Sequence, residues 1–304
     1  MPVGRMPPDP ENYDMYFRQY SVSSLREIVA ISQYLKGWLF RGQADHKWPL
    51  VTSIERISRT MGCEPRKCAE NELRMIGEFK KHAPLYFDKR MLPDPKSDSI
   101  VEWLSIMQHY GSPTRLLDFT RSLYIALFFA VQESLTDASI WAVNPSRLNE
   151  RHRDGFSFNG KTYNPSFSGT NDEKLGLVDD VVFPALVAAT PKLIVDVNPN
   201  YSNERLKSQL SLFLVPLDVN APFMENLCRS LDFERIPVGM EYESWPRNPS
   251  SAFFCNEVAL IKFRIDHACH DSMRRELEYM TIDCSKLFPD LTGFCLSMKM
   301  YLRP

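Results

Sequence analysis

The chain has 304 residues, 44% of them apolar and 24% charged, with a formal net charge of −2. That composition belongs to a globular protein with a sizeable core, built as one large domain or two small ones. It excludes a global basic field that would draw the molecule to nucleic acid or anionic lipid, but leaves room for a local cationic patch.

The opening MPVGRMPPDPENYD lacks the apolar stretch of a signal peptide, and its first twelve residues hold four prolines. It reads as an N-terminal extension over residues 1–20. The longest apolar run, Leu123 to Val131, is far short of the ~20 residues that cross a bilayer, so no membrane contact is expected. The seven cysteines form no C-x-x-C pair, which suits reduced thiols in a cytoplasmic protein. His267-Ala-Cys269-His270 is followed by no second ligand pair at zinc spacing, so it reads as a polar turn and no metal is expected.

In chain order, Ser21 to Leu35 has helical periodicity, with Ser21 or Ser23 as N-cap. Trp38 to Arg41 is a short strand ending at Gly42. Glu70 to His82 and Ser99 to Tyr110 are helices, closed by Ala83-Pro84 and by Gly111-Ser112-Pro113. Thr114 to Phe119 is extended or turn-like, Ser122 to Gln132 is an apolar central helix, and Ser139 to Asn144 is a strand. A polar insertion follows near residues 145–178, of a length that is usually functional or disordered. Lys192 to Val197, Ser211 to Pro216 and Val258 to Ile265 are strands. Between the last two lies a second polar insertion near residues 236–251. Cys269 to Tyr279 and a last segment to Leu302 are helical. The whole of 21–304 reads as a single α+β domain.

Three places concentrate polar residues beside apolar runs. Arg41 ends the run Trp38-Leu39-Phe40. It cannot lose its charge there and so needs an anion, either an internal carboxylate or a ligand. The stretch QHYGSPTRLLDFT sets His109, Tyr110, Thr114, Arg115 and Asp118 directly before a buried helix. The alternative is structural: Arg115 and Asp118 pair at i,i+3, and Asp118 or Thr120 caps the helix. In NERLKSQLSLFLV, Arg205 and Gln209 are four apart, and Gln209 leads a strand covered on both faces. There a satisfied core amide competes with a catalytic role.

The blocks WLFRGQ, QHYGSPTRLLDFT with ALFFA, and LFPDLTG together resemble the FRG domain family. The Arg205–Gln209 segment is similar to a fourth family block, R-x-x-x-Q-x-G-x-F, with Ser211 where the family commonly has glycine. The resemblance runs from Trp38 to Leu302. The family's strands and polar anchors in turn look like the ADP-ribosyltransferase fold: a split antiparallel or mixed sheet, with helices packed around it, that grips NAD.

What the resemblance implies is an NAD-dependent ADP-ribosyltransferase, a toxin-like effector of bacterial conflict or anti-phage defence. Its acceptor would be RNA, DNA or protein, and an antitoxin or regulatory protein would restrain it. NAD would be the substrate, with no metal. Arg41 and Gly42 would hold a phosphate, with Arg115 and Arg205 as further contacts. His109 would meet a ribose hydroxyl, and Tyr110 or Phe119 would stack on nicotinamide, with Thr114 and Asp118 lining the pocket. Breaking the N-glycosidic bond builds oxocarbenium character and calls for negative charge near the ribose. The aligned strand carries Gln209 in place of a carboxylate. Glu257 is then the first candidate for that charge, followed by Asp118 and Glu55. The other readings are a module that binds a nucleotide or phosphorylated ligand without turnover, and a hydrolase using His109 and Asp118. For nucleic acid, the basic residues in view are Arg151, Arg153 and Lys161 in the long loop and Lys80, Lys81, Lys89 and Arg90.

Overall fold

A computed structural model describes residues 17–64, 67–88, 92–94, 99–182, 190–200, 204–232, 243–244, 258–298 and 301. Its centre is a mixed eight-stranded sheet. The strands are β1 (Arg18–Val22), β2 (Leu39–Gln43), β3 (Leu117–Thr120), β4 (Ala138–Val143), β7 (Ile194–Val197), β8 (Ser211–Pro216), β9 (Glu243–Ser244) and β10 (Leu260–Ile265), while β5 (Phe156–Phe158) and β6 (Lys161–Tyr163) form a separate hairpin. The order is β7-β8-β3-β2-β4-β10-β1-β9. Pairing is antiparallel from β7 to β10, and β1 runs parallel to both β10 and β9. The fold is therefore α+β, as expected.

One junction in the sheet is weak. β2 and β3 share a single registered pair, Phe40 with Thr120, whereas β2 and β4 share five. Beyond Phe40 the two strands part. Registered partners project to the same side of a sheet, so Phe40, Thr120, Asp118 and Phe213 face one way. On that face lie two separate apolar clusters. One gathers Phe40, Ile140 and Phe263 under α5 (Leu123–Val131). The other gathers Val195, Phe213 and Val215 under α4 (Ile100–His109) and α6 (Asn171–Val182). The space between them lies over the β2–β3 junction. The opposite face carries Leu39, Leu117, Phe119, Trp141 and Leu212 under α8 (Phe223–Ser230).

Local sequence explains the elements around that space. Ser99 and Ser122 cap α4 and α5 with their hydroxyls. Helix α5 is buried on nearly every side. A Cβ on Gly42 would lie 1.9 Å from the Ala126 carbonyl oxygen and 2.6 Å from the Ala130 nitrogen. Gly42 is thus what lets α5 rest directly on β2. The chain closes with three helices, α9 (His270–Tyr279), α10 (Cys284–Leu287) and α11 (Leu291–Ser297).

Several expectations are corrected. The first helix, α1, spans Leu25–Ser32 and is capped by Ser24, because the preceding residues 18–22 enter the sheet as β1. The extension expected to reach residue 20 therefore gives way to a strand at Arg18, and Phe17 is already buried. The insertion near 145–178 contains the β5–β6 hairpin and the start of α6, whose Leu175, Leu177, Val178, Val181 and Val182 are buried. Five further elements escape the periodicity: β1, α2 (Ser53–Thr60), α7 (Glu204–Ser208), α8 and α10. The insertion near 236–251 lies almost wholly outside the described residues. No helix among the described residues is long and apolar enough to cross a membrane.

Candidate functional site

The space over the β2–β3 junction is a cleft of about 900 Å³. Its floor is β2, β3 and the start of β8, and its walls come from α4, α7 and α2, with Phe129 of α5. Arg41, Gly42, His109, Asp118, Phe119, Arg205 and Gln209 all line it. Residues spread over three sequence blocks are thereby brought together.

Arg41 answers the parting of the strands. Its Nη1 donates to the Asp118 carbonyl oxygen at 2.7 Å, where a ladder bond is missing. The same nitrogen lies 3.9 Å from the Asp118 carboxylate. Its buried Nε has no hydrogen-bond partner among the described residues. An orphaned donor on a buried cation is costly unless something completes it.

Asp118 is the only acidic side chain lining the cleft among the described residues. Half of its side chain is open to the cleft. Even so, burial raises its carboxyl above the usual carboxylate range, against the pull of Arg41. Gln108 Nε2 donates to Asp118 Oδ2 at 2.8 Å, and Thr114 Oγ1 donates to Gln108 Oε1 at 2.5 Å. The threonine therefore sets which end of the amide faces the carboxylate.

At the other wall, the Arg205 guanidinium lies 4.5 Å from the centre of the Phe288 ring, which meets Phe129 edge-on at 6.1 Å. The Leu287 carbonyl accepts from Gln209 Nε2 at 2.9 Å and from Ser208 Oγ at 3.2 Å. The LFPDLTG block thus buttresses the cleft, and Asp290 within it caps α11 on the Gly293 nitrogen. His109 titrates below its ordinary value, held down by burial and by Arg205, while Asp290 pulls it up. The imidazole is therefore neutral near pH 7, and the positive charge of the cleft resides on arginine.

Four sequence expectations change here. Arg115 is buried and committed elsewhere: its Nε reaches both Glu72 carboxylate oxygens, at 3.1 and 2.8 Å, and its Nη2 also bonds Glu72. Its Nη1 donates to the Pro216 and Leu217 carbonyls at 3.2 and 3.0 Å. It does not line the cleft and offers no donor to a phosphate there, and its carboxylate partner is Glu72, not Asp118. Thr114 is fully buried behind the wall and acts through Gln108. Tyr110 is exposed on the outer side of α4, edge-on to Phe87 and His109, and does not line the cleft. Gln209 does line it, but its amide nitrogen is committed to Leu287, so the satisfied-amide reading fits that side chain. Phe119 lines the floor while its ring packs in the opposite core.

Glu257 lies outside the described residues. Glu55 accepts from the Phe223 nitrogen and from Arg59, behind the cleft. His267 meets the His270 ring, Cys269 Sγ donates to the Ser23 carbonyl, and no three His, Cys, Asp or Glu side chains converge among the described residues.

Sequence reasoning overlooked Gln108, Ser105, Trp48, Arg56, Arg59 and Phe129, all of which line the cleft. One signal was available, since Gln108 opens the QHYGSPT block itself. Gln43 fixes the loop after β2, accepting from Trp141 Nε1 at 2.8 Å and donating to the Pro49 carbonyl at 3.1 Å.

No curated protein and no solved structure matches the chain. Residues 36–139 match the FRG domain, a stretch that holds β2, α4, β3 and α5 and hence Arg41, Gln108, His109 and Asp118. Within that FRG-domain stretch, the Phe-Arg-Gly supplies a core ring, a cleft cation and the contact with α5.

Proposed function

We propose that the cleft binds NAD and transfers ADP-ribose from it to a macromolecule, as a toxin-like effector held in check by a partner protein. The observation that carries this reading is Arg41 in the strand gap, with an unpartnered Nε, beside the one carboxylate that lines the cleft among the described residues. The single-pair junction of β2 and β3 suits the split sheet of an ADP-ribosyltransferase. The volume suits a nucleotide ligand.

In this reading Arg41 and Arg205 take the pyrophosphate, Arg41 through its planar fork. The bond between the ribose C1′ and the nicotinamide nitrogen breaks, and nicotinamide leaves neutral. Asp118, ionised, faces the positive charge that develops on the ribose. An acceptor nucleophile then bonds to C1′ and gives up its proton. Gln108 holds Asp118 in place through Oδ2.

The test is incubation of the purified protein with radiolabelled NAD and a mixture of cellular RNA, DNA and protein. Label is expected to move into one macromolecular fraction, and to fall about a hundredfold in Arg41→Ala and in Asp118→Asn. Label unchanged in both variants overturns the reading. A second reading, binding without turnover, draws on the closeness of Asp118 to Arg41, which offsets the negative charge that catalysis needs. It expects saturable NAD binding with no nicotinamide released.

A further inference from the structure

The loop and helix beside Arg41 carry a feature the NAD reading leaves unused. Trp48 is 52% exposed and lines the cleft. It is not a loose side chain on a loose loop. Its backbone nitrogen closes a turn on the Asp45 carbonyl, the Pro49 carbonyl is held by Gln43, and Leu50 is fully buried. An indole that is anchored on both sides yet open to solvent presents a flat apolar face.

Helix α2 begins a few residues later. Arg56, Arg59 and Thr60 are spaced i, i+3, i+4 and all line the same cleft. Arg59 is paired with Glu55 at 2.5 Å. The Arg56 side chain has no hydrogen bond or ion pair with any described residue and is exposed. Several basic residues elsewhere are committed. Arg151 is answered by Asp232 at 3.3 Å, Lys161 by Asp180 at 2.6 Å, and Lys80 lies over the Trp103 ring. Lys89 and Arg90 lie outside the described residues. In a chain of net charge −2, an uncommitted cation and an exposed indole line the same cleft.

A stacking platform and a free cation lining one cleft are the elements that hold a base and its phosphate without reading sequence. We propose that Trp48 and Arg56 form an acceptor subsite for single-stranded nucleic acid, with a base stacked on the indole and the adjoining phosphate on the guanidinium. The proposal rests on the NAD reading for the purpose of the subsite, but its binding step can be measured without NAD.

The experiment is fluorescence anisotropy with labelled single-stranded RNA and, separately, single-stranded DNA of about twelve nucleotides, NAD omitted. Wild type is expected to bind with strong salt dependence. Trp48→Ala is expected to weaken binding about tenfold or more, and Trp48→Phe to restore most of it. Arg56→Ala is expected to reduce the slope of log K against log salt by about 0.7, the loss of one phosphate contact. Thermal midpoints are expected to stay at the wild-type level in all three variants. Binding of both oligonucleotides by Trp48→Ala and Arg56→Ala at the wild-type level overturns the proposal. So does absence of oligonucleotide binding in wild type, or label appearing only on protein. Trp48-dependent binding in a protein that releases no nicotinamide would retain the nucleic-acid site and remove only the NAD reading.

Discussion

Arg41 and Arg115 are the two arginines that the sequence presents most alike, each at the edge of an apolar run with polar neighbours. The structure puts them in opposite situations. Arg115 is buried, bonded to Glu72 and to two carbonyls, and has no function left to offer beyond holding α3 (Cys68–His82) to the end of β8. Arg41 makes one bond to a carbonyl and keeps a buried Nε unsatisfied. The difference teaches that charge beside an apolar run marks a site only when the fold leaves that charge incompletely answered.

Stability measurements can break this comparison. Removing either partner of the interior pair, as Glu72→Ala or Arg115→Ala, is expected to cost about 3–5 kcal/mol, because an uncompensated charge stays buried. Arg41→Ala is expected to cost about 1 kcal/mol or less, since its carboxylate partner is half exposed and 3.9 Å away, beyond hydrogen-bond distance. Urea denaturation of the three variants checks the ranking, and equal losses would erase the distinction.

A smaller effect sharpens the other side of β2. Gly42→Ala forces a methyl into the backbone of α5 and is expected to cost about 1–3 kcal/mol by overpacking. It should also impair the cleft by lifting α5, which carries Phe129. The same denaturation series, with NAD binding measured alongside, reports both losses.

The smallest effect is electrostatic. The imidazole of His109 should titrate below 6.5 in the folded protein, and Arg205→Ala should move that midpoint upward, because a neighbouring cation has gone. The sign for stability follows. The proton binds more weakly in the folded state, so the stabilisation is present above pH 6.5 and is lost as pH falls toward the folded value. Imidazole resonances followed by NMR across that range decide it.

Much of the frame was legible because the signals are local. The apolar run of α5 and the strand at β8 are each written within a dozen residues, whereas the cap of α5 is Ser122 and not the Asp118 or Thr120 that the sequence suggests. The block WLFRGQ likewise marks Arg41 without help from elsewhere. What escaped depends on distant neighbours. Helix α2 is short, and Ile54 is its one buried residue, so periodicity has little to register. The neutralising partner of Arg115 lies 43 positions away at Glu72, nearer by fold than the Asp118 that spacing suggests. Strand β1 reads as the end of a proline-rich leader because its pairing with β10 closes only after most of the chain has been laid down.

The buttress at Leu287 and the order of the strands have a consequence for inheritance. The stretch 36–139 that is recognised as FRG supplies β2, β3 and only the first residues of β4. Cut out, it would leave β3 without β8 and β4 without β10, two raw sheet edges, and a cleft without Arg205. The portion that the family match recognises is thus smaller than the portion that can hold a shape. A gene fragment trimmed to the recognisable part would carry the signature of the site and lack its walls.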